Sequence, residues 1–448
     1  MAPADAGDKY TVRNILKVAW PILVSLLMEQ LIGLTDTAFL GRVGEIELGA
    51  SAIAGVYYMV IFITGFGFSL GAQIITGRRN GEGKLRDTGK IFWHGLYFMT
   101  ALATVIFFLS EAFSPFLLSA LISSPAILSA SVSYVEWRLA GLLFAFSTAM
   151  FRAFYIGTTQ TKALTLNSVV MVLSNVAFNW ILIFGKFGCP AMGIKGAAIG
   201  SSLAELVSLV FFIAYAVTKT DCRKFGLDRP AKFESGELRR IMSVSVWTMT
   251  EAFLSVGTWL VFFLYVEHLG ERALAVSNIV RSVSGLFWVI LAAFSSTCST
   301  LVSNMIGEGR QNEVLRLTGR IIGIAYCTMA AVMAVCFIFP DAVIGIFTDI
   351  PDLASASVPA MLVMVSSYLI NISGNICFNA AAGTGNTKTV FALEAAALAI
   401  YLIYCTAVIT VLKADIAVCW TAEHVYAGAM LLLCGAYLKS GRWKGKKI

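Results

Sequence analysis

The sequence predicts an all-α membrane protein with twelve transmembrane helices in two parallel six-helix lobes. Three observations predict it. Of 448 residues, 58% are hydrophobic and only 13% charged, against about 45–50% apolar and about 25% charged in soluble domains. The apolar residues gather in stretches such as 98–109, 204–217 and 328–339, each extending to the roughly 20 residues a bilayer-crossing helix needs. The chain also repeats itself at an offset of 226 residues. This composition excludes disorder and a set of soluble domains.

The spans follow in order. Span one is expected over 15–40, after a polar, charged start with no signal-peptide pattern. Span two (47–77) ends at Gly81-Glu82-Gly83, and span three (90–112) begins after a basic loop. Span four (130–157) ends at Gly157-Thr158-Thr159-Gln160, followed by spans five (163–185) and six (193–218). A basic linker over 219–237 separates this first lobe, 1–218, from a second, 238–448. Its spans are expected over 238–266, 273–304, 320–340, 354–383, 389–412 and 417–438.

The repeat supports the two lobes. Gly44-Glu45 recurs as Gly270-Glu271, Gly81-Glu82-Gly83 as Gly307-Glu308-Gly309, and Gly157-Thr158-Thr159-Gln160-Thr161-Lys162 as Gly383-Thr384-Gly385-Asn386-Thr387-Lys388. Glycine suits these turns because it tolerates positive φ. Six spans per lobe is an even number, so both lobes enter from the same side. Parallel repeats of this kind are one recurring transporter plan, with substrate bound between rocking lobes.

Charge sets the orientation. With both termini on one side, the loops of that side hold 25 Lys and Arg residues and the opposite loops five. The positive-inside rule then places both termini in the cytoplasm. The net charge of +7 is accounted for by this bias, so no nucleic-acid partner is expected. Nine cysteines lie mostly in apolar segments without a C-x-x-C pair, which argues against a disulfide or metal framework.

Seven acidic residues fall within spans: Glu29, Asp36, Glu136, Glu205, Glu251, Glu394 and Glu423. A charge near the bilayer centre costs about 3 kcal/mol on the mildest scale, so such residues normally face protein or water and often mark an ion or substrate route. Glu29 and Asp36 are seven residues apart on span one, on nearly one helix face and about 10 Å apart. A carboxylate there can load and release a proton or hold a sodium ion. Glu251, midway along span seven, is a further candidate for the substrate or proton route. Glu205 sits among small residues and reads at least as well as a helix–helix contact. Glu136, Arg138, Glu394 and Glu423 read as solvated, snorkelling or locally paired. Asn175 and Asn179 share a face of span five at i, i+4. They could coordinate a cation, bond a span-one carboxylate, or join helices. Asn371 and Asn375 repeat the spacing in span ten.

These residues resemble the multidrug and toxic compound extrusion (MATE) family over nearly the whole chain. The resemblance rests on Ala19-Trp20-Pro21, Asp36-Thr37-Ala38-Phe39-Leu40-Gly41-Arg42-Val43-Gly44, Gly77 with Gly81-Glu82-Gly83, Gly157-Thr158-Thr159-Gln160, and Phe184-Gly185-Lys186-Phe187-Gly188 followed by Gly193 and Gly196-Ala197-Ala198. It implies an antiporter that exports amphipathic, often cationic compounds in exchange for protons or sodium, through alternating access of the two lobes. It implies a coupling role for Asp36, with Asn175 beside it. Where the family often has a further aspartate, this chain has Asn179. In one branch a span-seven acid and a span-ten aspartate also serve coupling. Those positions fall on Ser255, one turn from Glu251, and on Asn371. The missing carboxylates weaken a sodium site more than a proton site, so protons through Asp36 are preferred, with sodium at Asp36 the other reading. No cofactor is expected and no enzymatic activity. The expected protein is a monomer of a bacterial inner membrane whose partners are small amphipathic substrates and lipid.

Other readings make different demands. A lipid-linked oligosaccharide flippase of the same superfamily calls for a larger cationic cavity, but only Arg138, Arg152 and Arg281 lie within spans. A membrane-embedded enzyme needs a catalytic cluster such as H-x-x-x-H, and a channel a repeated filter motif. Neither is present.

Overall fold

A computed structural model describes residues 9–446, and helices account for nearly all of them, with no strand among the described residues. Eleven helices are long and apolar enough to cross a membrane: Val12–Leu40, Glu45–Gly81, Leu85–Leu121, Lys162–Phe184, Gly193–Lys219, Ser235–Glu267, Glu271–Gly307, Gln311–Ile338, Pro351–Gly383, Thr387–Val411 and Ile416–Ser440. A twelfth span is formed by Pro125–Ala140 and Leu142–Gly157, bent by 47°. Expected and observed spans correspond one to one, and span numbers below follow that order.

Span four differs from the continuous helix expected. It breaks at Gly141, where a Cβ would fall 2.6 Å from Ser202 Oγ and 2.7 Å from Glu205 Oε2 of span six. The bend therefore sits at a close approach, where a larger residue would displace the Ser202 and Glu205 side chains. Span three also runs about two and a half turns beyond expectation, to Leu121 with Pro115 inside the helix. Hydropathy marks the lipid-crossing portion of a helix and not its end.

The contacts divide the chain into two units. One comprises Val24–Met249, and the other Met1–Leu23 with Thr250–Ile448. Both divisions fall inside helices, in span one just after Pro21 and in span seven before Thr250. We call these the first and second unit in the order of their main segments.

The first unit is built on close helix contacts. A Cβ at Gly67 would lie 2.7 Å from Met249 Cα, and one at Gly71 would lie 2.5 Å from Ser245 Cα. Span two therefore touches the beginning of span seven backbone to backbone, and Thr248 Oγ1 donates to Gly67 O at 2.7 Å. Aromatic rings fill the space around span four: Phe151 stacks on Phe212 at 5.6 Å, and Tyr155 on the same ring at 5.7 Å. The second unit repeats the glycine device. Gly157 closes on Thr76 in the first unit, and its repeat mate Gly383 closes on Ser299 in the second. Small residues allow this in membranes, where packing replaces the hydrophobic drive.

The repeated turns share their geometry. After span two, Glu82 N–H donates to Arg78 O and Lys84 N–H to Arg79 O, with Gly83 at φ +72°. After span eight, Glu308 N–H donates to Asn304 O and Arg310 N–H to Met305 O, with Gly309 at φ +80°. The second glycine of each Gly-Glu-Gly is thus the one that takes the left-handed conformation closing a helix end. The other repeated turn is less even. Gly385 sits at φ +83°, while its counterpart Thr159 sits at φ +60°. That is an unfavoured region for a β-branched residue.

Candidate functional site

Asp36 comes from span one, Asn175 and Asn179 from span five, and Ser201 from span six, all within the first unit. Four hydrogen bonds join them. Asn179 Nδ2 donates to Asp36 Oδ1 at 2.5 Å and to Asn175 Oδ1 at 3.2 Å. Asn175 Nδ2 donates to Ser201 Oγ at 3.1 Å, and the Ser201 hydroxyl donates to Asp36 Oδ2 at 3.3 Å. The four side chains close a ring in which both routes of donation end on the carboxylate. Asn175 and Asn179 are 1% and 0% exposed, so their amides depend on the ring rather than on water.

The sequence builds this ring by spacing and by absence. The i, i+4 spacing puts both amides on one face. Span six approaches that face through glycines: a Cβ at Gly196 would fall 2.6 Å from Leu182 O, and one at Gly200 would fall 2.1 Å from Asn179 Oδ1. Asn179 Oδ1, pressed against Gly200, has no hydrogen-bond partner.

Beside the ring lies a buried ion pair. Arg138 Nη2 donates to Glu205 Oε1 at 2.7 Å, the Tyr58 hydroxyl donates to the same oxygen at 3.2 Å, and the guanidinium sits 3.9 Å over the Tyr58 ring. Arg138 Nη1 and Glu205 Oε2 are buried without partners. Arg138 is within electrostatic reach of Asp36.

The other candidates lie apart from this ring. Glu29, half-buried, pairs with Arg152 of span four. Glu251 belongs to the second unit, where its carboxyl meets that of Glu394 in span eleven. Asn371 is half-buried on span ten, and the acid beside Glu251 is Glu394 rather than a span-ten residue. Glu394 does not snorkel, being 2% exposed. Glu423 is bonded by the Tyr401 hydroxyl at 3.4 Å. Among the described residues no three His, Cys, Asp or Glu side chains group as a metal site.

Sequence reasoning did not single out Ser201 as an Asp36 donor or Arg138 as the partner of Glu205. For Ser201 a signal was present. It lies one residue after Gly200 and four before Glu205, on the small-residue stretch that brings span six against span five.

Comparison with known proteins follows the same division into halves. The MatE family profile matches residues 21–181 and again residues 248–408. A Thermotoga maritima protein named "Probable multidrug resistance protein NorM" is 25% identical over 382 residues, 84% of this chain and 80% of its own length. A Synechocystis protein of the same name is 24% identical over 351 residues, 78% of this chain and 76% of its own. Among solved structures, a MATE in the straight conformation superposes with a TM-score of 0.86 at 17% identity, covering 95% of this chain and 96% of its own. A MOP superfamily transporter from Pyrococcus furiosus superposes at 0.85 with 16% identity, covering 95% of each chain. At these identities the structural likeness speaks for the fold.

Proposed function

The chain belongs to the MatE family of transporters, and from that premise we propose that it is a multidrug efflux antiporter. It exports amphipathic, often cationic organic compounds in exchange for protons, by alternating access of two lobes, 1–218 and 238–448. The names of the curated relatives support the substrate class. The excess of Lys and Arg on one side supports cytoplasmic termini in a bacterial inner membrane.

One observation carries the choice of ion: the groups facing Asp36 are donors. Asn179 presents an N–H and Ser201 an O–H to its two oxygens. A sodium ion asks for a shell of oxygens and gains from several carboxylates, whereas Asp36 is the ring's single acid. A proton asks for less. Once Asp36 is protonated it becomes a donor itself, and Asn179 Oδ1, unpartnered as it stands, is an acceptor held in reserve one amide rotation away.

In this mechanism the anionic Asp36 accepts from Asn179 and Ser201 while drug enters from the cytoplasm. After the lobes open outward, Asp36 takes up a proton, its two accepted bonds weaken, and the drug leaves. Discharge of the proton to the cytoplasm restores the ring.

Efflux of a fluorescent organic cation from proteoliposomes tests this, with proton and sodium gradients imposed separately. We expect efflux to follow the proton gradient in the wild type and to fall to the background rate in Asp36→Asn, which remains folded. Undiminished export in Asp36→Asn would remove Asp36 from the mechanism. A response to sodium alone would make Asp36, Asn175 and Asn179 a cation site. No response to either gradient would favour the lipid-linked oligosaccharide flippase.

A further inference from the structure

The linker over 219–237 is held as a strap along span three, within the first unit. Its contacts run along one face of that helix, which the steps from Lys90 to His94 and Tyr97 set out. At one end a Cβ on Gly89 would fall 2.2 Å from Phe225 O, and one on Gly226 would fall 2.8 Å from Arg86 O. The backbones touch there, and Gly226 at φ +70° turns the linker. Phe225 sets its ring edge-on to Phe154 of span four at 5.6 Å. Further along, the Tyr97 hydroxyl donates to Ala231 O at 2.9 Å. His94 is 0% exposed, and Phe233 stacks on its ring at 5.8 Å.

Both imidazole nitrogens are engaged. Nδ1 lies 2.8 Å from Lys90 O, and the Glu234 N–H donates to Nε2 at 2.9 Å. A carbonyl only accepts and a backbone N–H only donates, so Nδ1 carries the hydrogen and Nε2 is bare. Glu234 in turn opens span seven: its carbonyl accepts from Glu237 N–H at 3.1 Å and from Leu238 N–H at 3.2 Å. His94 thus fastens the residue at which the linker becomes a helix.

A proton on Nε2 would set a donor against a donor. The bond would be lost and a cation buried in its place. On its own helix His94 meets Lys90 through the carbonyl and Tyr97 through the ring, at 6.1 Å. On the linker it meets Phe233 and the Glu234 N–H, while the side chains of Lys232 and Glu234 are exposed. Glu237 pairs with Arg240, and at the end of span two Arg79 pairs with Glu82. Among the described residues no acid pairs with His94. Charging the ring and keeping the strap attached are therefore mutually exclusive.

We propose that His94 is a pH-sensitive clip, which fastens the linker to span three while neutral and releases it when protonated. Histidine is the side chain that changes charge between about pH 5 and 8. On the orientation proposed above, the clip faces the cytoplasm. It carries no transported proton and acts only on the strap.

Hydrogen exchange of the purified full chain tests the clip, with the protection of each segment referenced to the unstructured peptide at the same pH. From about pH 8 to about pH 5, we expect the linker amides to lose about tenfold in protection, the order of one hydrogen bond lost with a charge buried. Spans five and six should keep theirs. In His94→Gln, whose amide oxygen accepts at either pH, the loss should vanish. The slow exchange of the His94 ring C2 hydrogen follows its own titration, and in the wild type it should change over the same pH interval as the linker. That measurement decides the matter if His94→Gln does not fold, and a mismatch between the two intervals would overturn the proposal. So would equal protection at both pH values in the wild type, or a loss that persists in His94→Gln, because another group would then titrate. The other two histidines, His268 and His424, belong to the second unit. No transport enters the readout, so failure of the antiport reading leaves it intact.

Discussion

The two units carry the same helical frame and treat their buried acids in opposite ways. In the first unit each acid has a donor or a cation: Arg138 for Glu205, Arg152 for Glu29, and an amide and a hydroxyl for Asp36. In the second unit acids meet other acids or phenols: Glu251 with Glu394, Tyr426 with Glu394, and Tyr401 with Glu423. Duplication preserved what geometry demands, namely glycines at turns and close approaches. It did not preserve the partners of the buried acids. In the first unit they are donors and cations. In the second they are neutral hydroxyls and another carboxyl.

The largest expected break in this contrast is Arg138→Met. It leaves Glu205 buried without its counter-charge and should cost about 3–5 kcal/mol, as loss of one partner from a buried pair does. Thermal unfolding in detergent checks it, and adding Glu205→Leu should recover most of the loss. No comparable loss is expected for Tyr426→Phe in the second unit, where Glu394 loses one long hydrogen bond. Next comes Gly200→Ala. Its methyl group would fall 2.1 Å from Asn179 Oδ1 and drive that amide out of the ring. Export should drop about tenfold, equivalent to about 1.4 kcal/mol, with folding largely intact, as a transport assay alongside a melting curve would show.

A third change brings the two halves closer together. Thr159 holds φ +60° where its repeat mate is Gly385. A left-handed conformation costs an L-residue about 1–2 kcal/mol, of which glycine's added chain entropy takes back part. Thr159→Gly should therefore stabilise the protein by about 0.5–1 kcal/mol, read as a rise in melting temperature. A fall would mean that the Thr159 side chain contributes more than its backbone costs.

The smallest effect concerns the loop after span two. Burial opposes ionisation of Glu82, but hydrogen bonds from Lys84 and Arg79 and their charges outweigh it and hold the carboxyl below the usual glutamate range. A depressed acid stabilises the fold above its unfolded-state pKa, and that stability is lost as pH falls through the folded-state value. Glu82→Gln should cost about 0.2–1 kcal/mol at neutral pH, as a partly exposed ion pair does. The cost should shrink with added salt and disappear in acid. Melting curves at two pH values and two salt concentrations measure it.

Much of the fold was legible because hydropathy and repeat are properties of the chain read in one dimension. Twelve spans follow from windows of about 20 apolar residues, and the turns follow from repeated glycines. Asp36, Asn175 and Asn179 were legible as candidates because an i, i+4 spacing is also one-dimensional. The pairing of Arg138 with Glu205, of Arg152 with Glu29 and of Glu251 with Glu394 was not. Each depends on how two helices distant in sequence are rotated toward each other, and a helix that is apolar on every side does not reveal its rotation. The break in span four was hidden for the same reason. Gly141 reads as an ordinary small residue until Ser202 and Glu205 are seen against it.

A closed circuit of donors and acceptors has a memory that an isolated acid lacks. Around Asp36 two amides and one hydroxyl are committed to a single sense of donation, and reversing that sense requires only that they rotate. Exposed side chains rotate in picoseconds to nanoseconds and collective helix motions take microseconds to milliseconds, while the amides of Asn175 and Asn179, 1% and 0% exposed, turn only as far as their packing gives way. On the antiport reading, arrival of a proton is first recorded in these side chains. The slow machinery then encounters a decision already made. Gly200, by leaving room for one amide oxygen, sets the clearance within which that record is written.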